Sequence, residues 1–254
     1  MKMYDLTQGT GIQTPPWPTY EPLQVKYFKR LAANGANGQL ITTSNHVGTH
    51  LDGEIHFWAP GKDIASIPLD DLVGTGVVVD ISDMVSDYDI YTGEMIEKKL
   101  AKHGLKIQER DILIIVTGFY KYAWERKDAD EIRYMCCHPG PMKGFDEWCI
   151  KHKIKWIGVD CGSADHPMNT IIRKWQPDLA KKAEKKLGKP LEEIFPPEDY
   201  QMMHIKLFPH SIIHVENIGG EIEKVLNRRI TIGCFPWKFV GGESAFCRVV
   251  AFEF

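Results

Sequence analysis

Residues 46–56, His-Val-Gly-Thr-His-Leu-Asp-Gly-Glu-Ile-His, place three imidazoles and two carboxylates within eleven positions. His46, His50, Asp52, Glu54 and His56 all carry even numbers. Side chains two apart in an extended chain point to the same face, so these five are expected to share one. A fully extended run of this length would span roughly 33 Å, too long for a single site. Gly48 and Gly53 are where the chain is expected to bend and gather that face into a cluster. Imidazole nitrogens together with Asp and Glu oxygens are the donors a divalent ion such as Zn²⁺ or Mn²⁺ accepts. A strand with one solvated face needs no such density of histidine.

A well-held site draws donors from more than one segment, and His204 with Glu216 is the best downstream candidate. A helix end, Pro209 and the strand Ile212-Ile213-His214-Val215 lie between them, and Glu216 ends that strand ahead of Asn217-Ile218-Gly219-Gly220. Functional carboxylates favour strand ends because the loops there open onto clefts. Taken singly, His204 reads as a surface helix residue and Glu216 as a turn residue.

The elements that must position these groups follow from hydrophobic period and turn chemistry. Pro15, Pro16, Pro18 and Pro22 keep residues 1–22 from forming a long helix or a central strand, so they read as an extended N-terminal arm. Residues 27–31 and 39–45 read as strands joined by Ala-Asn-Gly-Ala-Asn-Gly, a hairpin whose second strand leads into the cluster. Apolar runs at 77–81, 112–116 and 156–160 predict buried strands. Helices are predicted at 92–103, started by Thr92 and stopped by Gly104, and at 143–151. Residues 177–208 read as helix-rich, and further strands are expected at 212–216, 229–234 and 245–253. Alternating strands and helices between β-rich ends predict one α/β domain over 1–254 with a mixed, barrel-like sheet.

Composition bounds the partners. The 254 residues are 43% hydrophobic and 26% charged with a formal net charge of −3, ordinary for a globular chain able to bury a sizeable core. With no basic stripe, nucleic-acid binding is not expected. No stretch approaches the roughly 18 apolar residues of a membrane span, and no signal-type apolar run opens the chain, so a cytoplasmic protein is the default. The six cysteines (136, 137, 149, 161, 234 and 247) form no CxxC pair and read as small buried hydrophobes.

The run His46-x-Gly48-Thr49-His50-x-Asp52-x-x-x-His56 resembles the signature of the putative cyclase family of metal-dependent hydrolases, which includes bacterial kynurenine formamidases and isatin hydrolases. Weaker blocks follow in the family's order. These are Tyr4-Asp5-Leu6-Thr7 with Trp17-Pro18, then Pro139-Gly140, Trp148, Gly158-Val159-Asp160-x-x-Ser163, His204-x-x-Leu207 with Glu216-Asn217, and finally Pro236, Gly241 and Arg248. The resemblance implies a single domain of the swivelling β/β/α type, acting as a homodimer or homotetramer with the N-terminal arm reaching a neighbour's site. It also implies that His46, His50 and Asp52 bind one metal, and that Asp52 bridges to a second held by His204 and Glu216. His56 would be the catalytic acid/base. Members of the family bind one or two ions per subunit, Zn²⁺ or Mn²⁺. This chain departs at Glu54, where the family commonly has proline, and it is longer through 119–138 and 166–197.

The chemistry these residues permit is hydrolysis of a small amide, formamide or lactam. A divalent cation lowers the pKa of bound water to roughly 7, and an imidazole such as His56 moves protons near neutral pH. A metal-dependent cyclase or dehydratase (a lyase) acting on a small carbonyl compound is the alternative enzyme class, and a non-catalytic binding protein of the same fold is the third reading. Trp17, Phe57, Trp58 and Phe119 are candidate walls for a planar substrate. Ser163 is a candidate hydrogen-bond partner, and Glu54, sharing the ligands' parity, is expected within or just behind the metal pocket. His138, His166, His210 and His214 carry no motif and read as structural, although His166 lies close enough to Ser163 to line a cleft.

Overall fold

The uninterrupted apolar runs form strands covered on both faces. The computed structural model describes residues 1–254. In chain order its strands are β1 (Lys2–Asp5), β2 (Gln24–Lys29), β3 (Gly38–Thr42) and β4 (His50–Asp52). Then come β5 (Val73–Asp80), β6 (Ile90–Tyr91), β7 (Ile112–Val116) and β8 (Gly140–Pro141). The last four are β9 (Trp156–Val159), β10 (Ile213–Glu216), β11 (Arg228–Pro236) and β12 (Ser244–Glu253).

Strands β5, β7, β9 and β10 are parallel neighbours in that order. β4 pairs antiparallel with β10 on one edge and with the start of β12 on the other. The antiparallel pairs β12–β11 and β11–β5 complete the circuit. The sheet expected to be mixed and barrel-like is therefore a closed mixed barrel of seven strands in a mixed α/β protein. β1 continues along β12 where β4 runs out, with Asp5 opposite Val250.

Alternation along the strands divides the core. Leu51, Val78, Ile114, Trp156, Val215, Ile232 and Val249 meet inside the barrel. Val77, Val79, Leu113, Ile115 and Ile157 face outward, onto the buried Ile96 and Leu100 of helix Gly93–Lys102 and onto Phe145 and Cys149 of helix Phe145–Lys151. The first of these helices starts as expected, with the Thr92 hydroxyl accepting the Met95 N–H at 3.3 Å. The two segments that lengthen the chain pack on each other: Tyr134, Met135 and Cys136 share a third cluster with Met168, Ile172, Leu191 and Phe195.

The hairpin at the start of the chain is β2–β3, a separate two-stranded sheet. Its connection holds one helical turn, Leu31–Asn34, ended by Gly35 at φ 68°. β3 stops at Thr42, so residues 43–45 intervene before His46. No helix is long and apolar enough to cross a membrane.

Candidate metal centre and active site

The site forms on the outer face of the barrel. Leu51 points into the barrel core, so His50 and Asp52 point the other way; Ile213 and Val215 impose the same on His214 and Glu216. The register then aligns two cross-strand rows, Glu216–His50–Phe246 and His214–Asp52–Ser244. Helix Met202–Leu207 brings the buried His204 to this face, its Nε2 3.5 Å from Asp52 Oδ2.

His46 comes from the loop before β4. Gly48 makes that loop possible at φ 66°, where a Cβ would also lie 2.5 Å from Thr10 Oγ1. The Thr49 hydroxyl donates to the Asn217 carbonyl at 2.7 Å and ties the loop to the end of β10. Gly53, by contrast, is extended at φ −89° and ψ 169°. What it supplies is room, because a Cβ there would sit 2.8 Å from Ile64 Cδ1.

Beyond Asp52 the period-two alternation ends in a single 3-10 turn, Glu54–His56. Glu54 opens that turn. It is buried, but its Oε2 accepts the Lys62 backbone N–H at 2.9 Å and it does not line the cleft. The hydrogen bond relieves the burial of the carboxylate without a metal. The same turn brings His56 back to the cluster, with its ring centroid 4.4 Å from that of His46.

Five groups come together as two donor sets sharing one carboxylate. His46 Nδ1, His50 Nε2 and Asp52 Oδ1 are mutually 3.2, 3.0 and 3.4 Å apart. On the other side, His204 Nε2 lies 3.5 Å from Asp52 Oδ2 and 3.7 Å from Glu216 Oε1. Ligands about 2.0–2.2 Å from one tetrahedral ion stand roughly 3.3–3.6 Å apart. Each of the three imidazoles has its other nitrogen engaged. His50 Nδ1 is 2.8 Å from the Gly48 carbonyl, His204 Nδ1 is 2.6 Å from Asp165 Oδ2, and His46 Nε2 is 2.9 Å from Glu243 Oε2. Such outer partners set the tautomer and aim of metal-binding histidines. Both Asp52 oxygens are buried without a hydrogen bond, which is costly unless a cation takes them. Spacing, aimed nitrogens and orphaned oxygens all fit a divalent cation.

The electrostatics agree. Burial alone would lower the pKa of His46, but Asp52 and Glu243 outweigh it and push it up to about 10. Burial is likewise outweighed at His204, where Asp165 and Asp52 push it up to about 10. Glu216 is raised to about 7, by burial first and then by the neighbouring Asp52. The carboxylates of the centre therefore favour positive charge beside them. His56 is lowered by burial, opposed by Glu243, whose Oε2 lies 2.7 Å from His56 Nδ1.

A small cleft, partly open to solvent, lies over the centre. Trp17, Tyr20 and Phe57 line it with His56, Ser163 and Gln201. Trp17 and Tyr20 of the N-terminal segment thus sit at the site of their own chain, and the Trp17 N–H donates to the His46 carbonyl at 3.0 Å. Of the other aromatic candidates, Phe119 belongs to the core and Trp58 is absent from the lining. His166 is fully buried between the Tyr88 carbonyl and the Met168 N–H, away from the cleft. Sequence reasoning missed Tyr20, Asp165, Gln201 and Glu243. The one local signal was the Gly241-Gly242-Glu243-Ser244 turn, a carboxylate at the start of a strand.

A family model described as putative cyclase matches residues 4–166, which leaves His204 and Glu216 beyond its reach. "Cyclase-like protein 1" of Arabidopsis thaliana is 30% identical over 169 residues, covering 63% of this chain and 61% of that protein. The match therefore spans about three fifths of that relative's length. Kynurenine formamidase of Bacillus cytotoxicus is 27% identical over 162 residues, covering 63% of this chain and 69% of its own. Among solved structures, isatin hydrolase A from Ralstonia solanacearum shares the fold, with a TM-score of 0.76 at 20% identity over 98% of this chain and 91% of that one.

Proposed function

The chain belongs to the putative cyclase family, and from that premise we propose that it is a metal-dependent hydrolase opening the C–N bond of a small amide, formamide or lactam. The observation that carries this reading is Asp52, buried with both oxygens unbonded, between two sets of aimed imidazoles and a carboxylate. His46, His50 and Asp52 would hold one cation, and Asp52, His204 and Glu216 a second. The all-N/O donor set suits Zn²⁺ or Mn²⁺. When bound, the cation supplies Lewis acidity towards a carbonyl and a water acidic enough to attack near neutral pH.

The chain's own residues do the rest. Glu243 accepts the His56 Nδ1–H, which leaves Nε2 as the basic nitrogen. His56 takes a proton from the attacking water and returns it to the leaving nitrogen as the C–N bond breaks. Trp17, Tyr20 and Phe57 offer flat apolar walls, while Ser163 and Gln201 offer polar atoms to orient the amide. The flat aromatic walls suit an aromatic amide or formamide of the kind that the names of the relatives suggest. The same reading takes the chain as one swivelling β/β/α domain over 1–254, working as a homodimer or homotetramer. Glu54 serves the turn and leaves substrate choice to the cleft walls.

The test combines metal analysis of the purified protein with a panel of N-formyl aromatic amines and lactams, followed by product mass. Hydrolysis adds one water to the substrate. His56→Ala is expected to keep its metal while turnover falls by roughly 10² or more. Turnover that releases water or leaves the mass unchanged would instead favour the lyase reading, and a protein that binds no cation would overturn the proposal.

A further inference from the structure

We propose that His214 is a further ligand of the second cation, which is then held by Asp52, His204, His214 and Glu216. The inference rests on reading the cleft as a two-cation centre. It starts from strand β10, where the sequence Ile-His-Val-Glu puts Ile213 and Val215 in the barrel and His214 beside Glu216 on the outer face. The antiparallel register sets His214 directly opposite Asp52, a pairing that brings Cβ atoms to roughly 4.5–5.5 Å. The coordinating atoms of His204, His214 and Glu216 all lie within 4.8 Å of one another.

His214 is fully buried, and neither of its ring nitrogens has a hydrogen-bond partner. The large majority of buried polar groups in folded proteins have a partner; of the other fully buried imidazoles, His166 has both nitrogens engaged and His138 one, whereas His214 has none. The neighbours of His214 are the Phe208 and His204 rings, each with its centroid 4.9 Å away. A leucine would pack against Phe208 without leaving two polar atoms stranded. An imidazole there needs a partner, and its cross-strand neighbour Asp52 is itself unpaired on both oxygens.

With His214 the two cations become unequal. The first has three protein donors, the pattern of catalytic sites that keep a position open, and the second has four, the pattern of closed structural sites. The second cation would then be the tighter one and would fix Asp52, and through it the first.

Chelator-stripped protein is titrated with Zn²⁺ against a chromophoric competitor, for wild type, His214→Leu and His214→Gln. Wild type should bind two Zn²⁺ with unequal affinity, and both variants should lose roughly 100-fold or more at the tighter step. Anomalous diffraction at the zinc edge from loaded wild type decides the matter even if the variants fail to fold. A His214 nitrogen roughly 2.0–2.2 Å from zinc is expected. A zinc at Asp52, His204 and Glu216 with His214 out of reach overturns this inference and leaves the hydrolase reading standing, as do two unchanged affinities in the variants. A wild type that binds no Zn²⁺ defeats both.

Discussion

Glu243 joins the two halves of the site through a single oxygen, 2.9 Å from His46 Nε2 and 2.7 Å from His56 Nδ1. It orients one proposed metal donor and the proposed acid/base together, so its loss should be felt in both. Glu243→Gln is expected to lower metal affinity and turnover together, by about 10–100-fold each, as read by chelator competition and steady-state rates. A variant that lost turnover alone, with metal affinity intact, would confine Glu243 to His56. Glu54 shows the opposite behaviour. Its Oε2 is committed to the Lys62 N–H, so Glu54→Ala should cost about 1 kcal/mol of stability while the order of preference among substrates stays the same. A changed substrate profile in that variant would return Glu54 to the cleft.

At the scale of elements, the turn into β4 determines whether His46 and His50 meet. Gly48 holds φ 66°, a conformation costly for an L side chain, and a Cβ there would press on Thr10 Oγ1 at 2.5 Å. Gly48→Ala should therefore destabilise the fold by about 1–2 kcal/mol and weaken metal binding, because this loop sets the His46 Nδ1 to His50 Nε2 separation of 3.2 Å. Thermal melts with and without added Zn²⁺ measure both effects. If the variant melted like wild type under both conditions, the turn would not be what gathers the ligands.

Across the whole molecule, the second segment that lengthens the chain, 166–197, is anchored at its start by a neutral imidazole. His166 Nε2–H donates to the Tyr88 carbonyl at 3.1 Å, and Nδ1 accepts the Met168 N–H at 3.0 Å. Only the neutral ring fits both partners. Burial, partly opposed by the Tyr88 carbonyl, lowers its pKa from 6.5 to about 4. The unfolded chain therefore takes up a proton that the folded one refuses. This contribution to stability is full above pH 6.5 and is lost as the pH falls towards 4. In His166→Asn, the unfolding free energy from urea melts should depend less steeply on pH in that window, by up to about 1.4 kcal/mol per pH unit. Equal slopes in the two proteins would show that folding leaves the protonation of His166 as it is in the unfolded chain.

What could be read in the chain alone was whatever local chemistry and period encode. The strands at 112–116 and 213–216, the Thr92 helix start and the dense His/Asp run are legible because each depends on residues a few positions apart. His204 and Glu216 were found by residue type and by resemblance, since no local rule links them to position 46. The tertiary structure alone decided the rest. Barrel closure depends on β4 pairing at once with β10 and β12, contacts whose partners lie more than 150 residues away. The same register sets His214 across from Asp52, where a motif-free histidine had read as structural. Parity could put Glu54 only on the ligands' face; where its side chain goes was decided by the turn, because alternation holds only while a strand lasts and β4 ends at Asp52. Glu243 stayed hidden for the same reason: it reaches His46 across 197 residues, and only the closed barrel brings two such distant segments side by side.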